Sequence, residues 1–68
     1  MAQVRWDDEA QAFRRYDRAL QAWRALRSRP SDEAASAREY SEAWNALDAA
    51  HDEWATTVRT LLAADRLY

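Results

Sequence analysis

The chain has 68 residues, 10 of them basic and 12 acidic, with a formal net charge of −2. A chain this short makes one small domain, and such a domain buries only about 60% of the surface its unfolded form exposes. There is no cysteine and no glycine, which excludes disulfide scaffolds, thiolate metal sites and the Gly-rich loops that cradle phosphates.

Sixteen alanines, together with many Arg, Glu, Gln and Leu residues and few β-branched ones, give a high summed helix propensity. The expected class is all-α. All ten basic residues are arginine and isoleucine is missing, which fits a GC-rich coding sequence and a small bacterial or phage protein. No apolar run approaches the 18 or so residues of a membrane span, and Met1 to Gln11 carries acids where a signal peptide needs a basic start followed by an apolar stretch. A soluble, cytoplasmic protein with no membrane contact is therefore expected.

In the first half of the chain Trp6, Phe13 and Leu20 recur every seven residues, with Tyr16 and Trp23 three beyond the last two and Ala12, Ala19 and Leu26 alongside. That single apolar stripe predicts a helix over about residues 4–28. The stretch Ser28-Arg29-Pro30-Ser31 then breaks it, because proline disfavours helix in the residue before it. Ser31 followed by Asp32 and Glu33 reads as a helix N-cap with acids in the first turn, which predicts a second helix over about 32–66. Along it Tyr40, Leu47, Trp54, Leu61 and Tyr68 keep the seven-residue spacing, with Ala37, Trp44, His51 and Val58 beside them. Neither Asn45 nor the pair Thr56-Thr57 interrupts this stripe, and no Pro or Gly assists a break there. The expected fold is an antiparallel two-helix hairpin.

Folding back at residues 29–30 would set residue i of the first helix beside about residue 59 − i of the second. Val4 would then lie near Ala55, and nothing in the first helix would cover Val58, Leu61, Leu62, Leu67 or Tyr68. Five large apolar side chains left in water forfeit on the order of 8–15 kcal/mol, comparable to the whole stability of a small domain. Each stripe also spans roughly 160° of its helix, wider than one neighbour can cover. Pairing of two hairpins into a dimeric four-helix bundle answers both problems. The expected interface is Trp44, Leu47, His51, Trp54, Val58, Leu61, Leu62 and Tyr68, with Trp6, Phe13, Leu20 and Trp23 opposite. Ala12, Ala19, Ala43, Ala50 and Ala64 leave room for the bulky rings.

Charge is unevenly placed: residues 1–29 carry a net +3 and residues 30–68 a net −5. A basic helix beside an acidic one suits the hairpin, although each exposed ion pair contributes only ~0–1 kcal/mol. Arg14 and Arg18 fall on the outward face of the first helix and, with Arg15, form the candidate nucleic-acid face. No aromatic residue lies among them to stack on bases, and the acidic balance argues for a solvated surface.

The only histidine, His51, lies in the second stripe, and the 59 − i register brings Glu9 to its neighbour Ala50. A Glu9–His51 polar pair follows as an expectation, with a structural role in setting register. Two such residues are too few for a metal or acid–base site, so no metal, cofactor or catalytic residue is expected. Glu39-Tyr40-Ser41-Glu42 is similar to the Glu-x-x-Glu element of magnesium-dependent nucleotide pyrophosphohydrolases, but the chain has no matching acidic element on another helix. In architecture the hairpin resembles the RNA-binding dimers that set plasmid copy number, and also secreted helical hairpins, whose Trp-x-Gly turn is absent. The expected function is a non-enzymatic helical module that pairs with itself or docks another protein in a regulatory or assembly role. Two alternatives stand beside it: a nucleic-acid-binding hairpin dimer, and a binder of aromatic small ligands in a tryptophan-rich bundle core.

Overall fold

The structure, a computed structural model, describes residues 4–65. Among them are two α-helices, α1 (Trp6–Arg27) and α2 (Ala37–Asp65), joined by a connection that contains a 3-10 turn at Ser31–Glu33. There is no strand among the described residues. The helices pack against each other as an antiparallel hairpin: Phe13 meets Trp54, Tyr16 meets His51 and Trp23 meets Tyr40 and Trp44.

Both ends of α1 and the start of α2 are closed by residues near them in sequence. At the start of α1, the Arg5 backbone N–H donates to the Asp8 carboxylate at 2.8 Å, half of a capping box; an arginine side chain has no acceptor with which to complete the other half. Asp7, Asp8 and Glu9 fill the first turn and Arg24 and Arg27 the last, the arrangement that the helix dipole favours at both ends. α1 closes without glycine: the Ser28 N–H and hydroxyl both donate to the Arg24 carbonyl, at 3.0 and 2.9 Å, and no described residue has positive φ.

The second helix begins later than the sequence suggests. Ser31 does not cap α2; residues 31–33 form the 3-10 turn, closed by the Glu33 N–H on the Pro30 carbonyl at 2.9 Å. The cap is Ser36, whose hydroxyl accepts the Glu39 N–H at 3.2 Å while the Glu39 carboxylate accepts the Ser36 N–H at 3.3 Å. This is the full Ser-x-x-Glu capping box. Arg29 also donates to Glu39, at 2.8 Å, and ties the connection to the first turn of α2.

The later start shifts the register. Phe13 faces Trp54 and Tyr16 faces His51, so facing residues have numbers summing to about 67, roughly two helical turns away from the expected 59. The overhang expected from the sequence is correspondingly shortened. α1 reaches the level of Leu61, which is buried at 7% exposure, and Val58 is half-buried. Leu62 stays exposed at the end, while Leu67 and Tyr68 lie outside the described residues.

The buried core of the described residues is Ala12, Leu47 and Leu61. Two helices meet along one seam, here Glu9, Ala12, Tyr16, Ala19, Trp23 and Leu26 against Tyr40, Ala43, Leu47, Ala50, Trp54, Thr57 and Leu61, and the alternating steps of three and four keep both rows turned inward.

Replacing Ser36 by Ala should destabilise the hairpin by about 1 kcal/mol in urea unfolding, whereas Ser31→Ala should leave it unchanged. The Ser36 backbone bond, then the Arg29 bond, holds the Glu39 carboxyl below its ordinary value of 4.5. A depressed carboxyl pKa contributes stability above the unfolded value that is lost as pH falls through the folded one. The melting temperature gap between wild type and Glu39→Gln should therefore be present at neutral pH and close in acid below that value.

Candidate functional site

Trp54 is the hub of the seam. Its indole N–H donates to the Glu9 carboxylate at 2.7 Å, and its ring stacks on Tyr16 with centroids 5.6 Å apart and planes 7° from parallel. Phe13 and His51 meet it edge-on at 5.7 and 6.0 Å. Ala12, one turn from both Glu9 and Tyr16, leaves the space that so large a ring needs, and it is the most buried residue described. A half-buried indole with a charged acceptor is a satisfied one.

Glu9 is thus engaged by Trp54, and the expected Glu9–His51 pair is not formed. The eight-residue register shift is the cause: it moves Ala50 and His51 away from the level of Glu9 and brings Trp54 close to it. His51 is exposed and packs edge-on against Tyr16 at 5.4 Å. Among the described residues no group of three His, Asp or Glu side chains is arranged to hold a metal ion, and no helix is long and apolar enough to cross a membrane.

On either side of the seam the hairpin has two unlike faces. Successive helical residues turn by about 100°, so Trp6, Phe13 and Leu20 lie to one side of the α1 seam row. Trp44, His51, Val58 and Leu62 lie to one side of the α2 row, and in an antiparallel pair these two flanks face the same way. The flank they form is open: Trp6 is 54% exposed and Trp44 52%, with Phe13 and Leu62 also exposed. Near its middle a groove of about 270 Å³ is lined by Tyr16, Trp44, Leu47, Asp48 and His51. That falls just under the usual range for small-molecule pockets, roughly 300–1,000 Å³, and suits an inserted side chain better than a whole ligand.

The opposite flank is polar and tied across. Arg15 pairs with Glu53 and Arg29 with Glu39, and both cross-links lie on this side of the seam. A second depression here is lined by Ala22, Ala25, Leu26, Arg29, Glu39, Glu42 and Ala43. Of the arginines marked in the sequence, Arg15 is therefore held by Glu53, while Arg14 and Arg18 stand exposed on the back of α1.

Of the residues expected at an interface, Trp44, His51 and Leu62 stand on the open face, with Val58 half-buried beside them. Leu47, Trp54 and Leu61 are occupied by the seam within the hairpin, and Tyr68 lies outside the described residues. The sequence pattern puts Trp6, Phe13 and Leu20 in the same row as Trp23; the structure separates them, sending Trp23 into the seam against Tyr40 and Trp44. No protein-family model matches the chain, no curated protein matches it, and no solved structure does.

Trp54→Phe keeps a ring but removes the donor to Glu9, and should cost about 1 kcal/mol, less than the roughly 1.5–3 kcal/mol of a well-buried bond to a charged group because the pair is only half-buried. A double-mutant cycle with Glu9→Ala, read by thermal unfolding, should show that the two losses are not additive.

Proposed function

We propose that the chain is a non-enzymatic helical interaction module that works through its open aromatic face, by pairing with itself into a four-helix bundle or by docking another protein. The carrying observation is the exposure of Trp6, Phe13, Trp44 and Leu62 on one flank. Exposed apolar patches on small proteins mark docking surfaces when they are contiguous, and single scattered residues do not.

Aromatic anchors flanked by polar residues are also the composition of interface hot spots. The nucleic-acid alternative gains nothing from the arrangement, since one of its three arginines is paired with Glu53 and the aromatic side chains lie on another face.

Analytical ultracentrifugation from micromolar to millimolar concentration, on wild type and on Trp44→Glu and Trp6→Glu, tests the reading. The expected result is a wild-type mass that climbs above 7.9 kDa, and variants that remain helical by circular dichroism but stay monomeric. A fixed monomer mass confines the function to docking another protein. If the wild type also fails to bind an apolar probe dye, or the variants bind it as well as the wild type does, the face is no docking surface.

A further inference from the structure

Resting on the reading of the aromatic face as a docking surface, we infer that its occupant is a second copy of the chain, related by a twofold axis parallel to the helices, so that α1 of each copy lies on α2 of the other and both connections sit at the same end. Two face-to-face arrangements are open to a pair of hairpins. The twofold can run along the bundle, which sets α1 against α2, or across it, which sets α1 against α1 and α2 against α2.

Charge separates them. α1 carries five arginines against four acids, a net of +1, and α2 carries two arginines against six acids, a net of −4. The crosswise arrangement lays one −4 helix along another, whereas the lengthwise one lays each against a +1 helix. At the rim of the contact Asp48 and Asp52 lie level with residues 19 and 15, near Asp17, and Arg24 stands about five residues beyond Asp48, so the preference rests on the charge balance of the whole helices. Exposed charges contribute little energy singly, but they select among orientations because like-charge contacts are penalised.

Shape points the same way. A twofold axis along the bundle allows no sliding, so residues level with each other inside one hairpin are level across the two copies as well. With facing numbers summing to about 67, Val58 is level with residue 9, His51 with residue 16 and Trp44 with residue 23. Read along the bundle, Leu62 and Trp6 share one level at the end of the open face, and the large side chains beyond them come in the order Val58, Phe13, His51, Leu20, Trp44. They alternate between α1 and α2, each three or four residues, or about 5 Å, beyond the last. Laid together by this symmetry, each α1 side chain meets a gap between two α2 side chains of the other copy. Knobs enter holes without any adjustment of register. The groove at Tyr16, Trp44, Leu47, Asp48 and His51 is the hole at the level of Leu20 from the other copy.

The chain has no cysteine, so a single engineered thiol reports position cleanly. Ser31→Cys lies in the exposed connection and can carry a nitroxide for pulsed dipolar spectroscopy, with the mass of the labelled protein checked by sedimentation. A dimer with a label separation below about 25 Å supports the inference. A dimer with labels more than about 40 Å apart, the length of α2 at 1.5 Å per residue, places the connections at opposite ends and overturns the arrangement, while the docking face stands. A labelled protein that is monomeric at millimolar concentration overturns the second copy as occupant. The docking reading fails separately: Trp44→Glu should weaken any dimer by at least about tenfold, the effect of losing one modest hot spot, and a dimer indifferent to Trp44→Glu and Trp6→Glu is built on some other surface.

Discussion

Two helices can share only one seam, and a seam turns inward about two residues of every seven on each side. Both stripes of this chain are wider than that, so the hairpin buries Ala12, Leu47 and Leu61, half-covers the aromatic residues between them, and leaves the remaining apolar side chains at the flanks. Trp54 sits at the centre of this limited contact. Its N–H is bound by Glu9 and its ring lies on Tyr16, and together these fix which turn of α1 meets which turn of α2. Sliding by one turn would break the charged hydrogen bond and the stacking together, which is how a few contacts hold a register.

The apolar surplus is not spread evenly around the hairpin. The cross-helix ion pair Arg15–Glu53 and the pair Arg29–Glu39 that ties the connection to α2 lie on one flank, and the exposed aromatic residues lie on the other. Each exposed pair is weak, so their effect is more to close one side with polar groups than to stabilise it. The division leaves a molecule with one wetted side and one side suited to burial, the condition for a bundle of two layers.

The apolar surface left for a partner differs in kind from the one expected. The expected overhang shortens once the connection is seen to run to Ser36, because the extra residues slide α2, still the longer helix at 29 residues against 22, toward the start of α1 until Leu61 is covered. What remains is a mismatch of width: the apolar arc of each helix exceeds what the other can shelter. Length depends on where the turn ends, whereas width is a property of each helix alone.

The helices themselves were legible. Seven-residue spacing from Trp6 to Leu26 and from Tyr40 to Leu61, high alanine content and the single break at Pro30 follow from local propensity and periodicity, which one strand of sequence contains in full. The capping box of Ser36 and Glu39 was legible too, as Ser-x-x-Glu, although the nearer Ser31 with its two acids competes for the same role and, being the same residue type, has the same intrinsic preference. Which of Trp6, Phe13, Trp23, Trp44 and Trp54 enter the seam was decided only in three dimensions. All of them satisfy the same apolar pattern, and a helix wheel cannot choose between its centre and its edge until a neighbouring helix is in place. The register likewise waited on the connection, since the pairing of Glu9 with Trp54 instead of His51 joins groups 45 residues apart, and no local signal couples positions so distant along the chain.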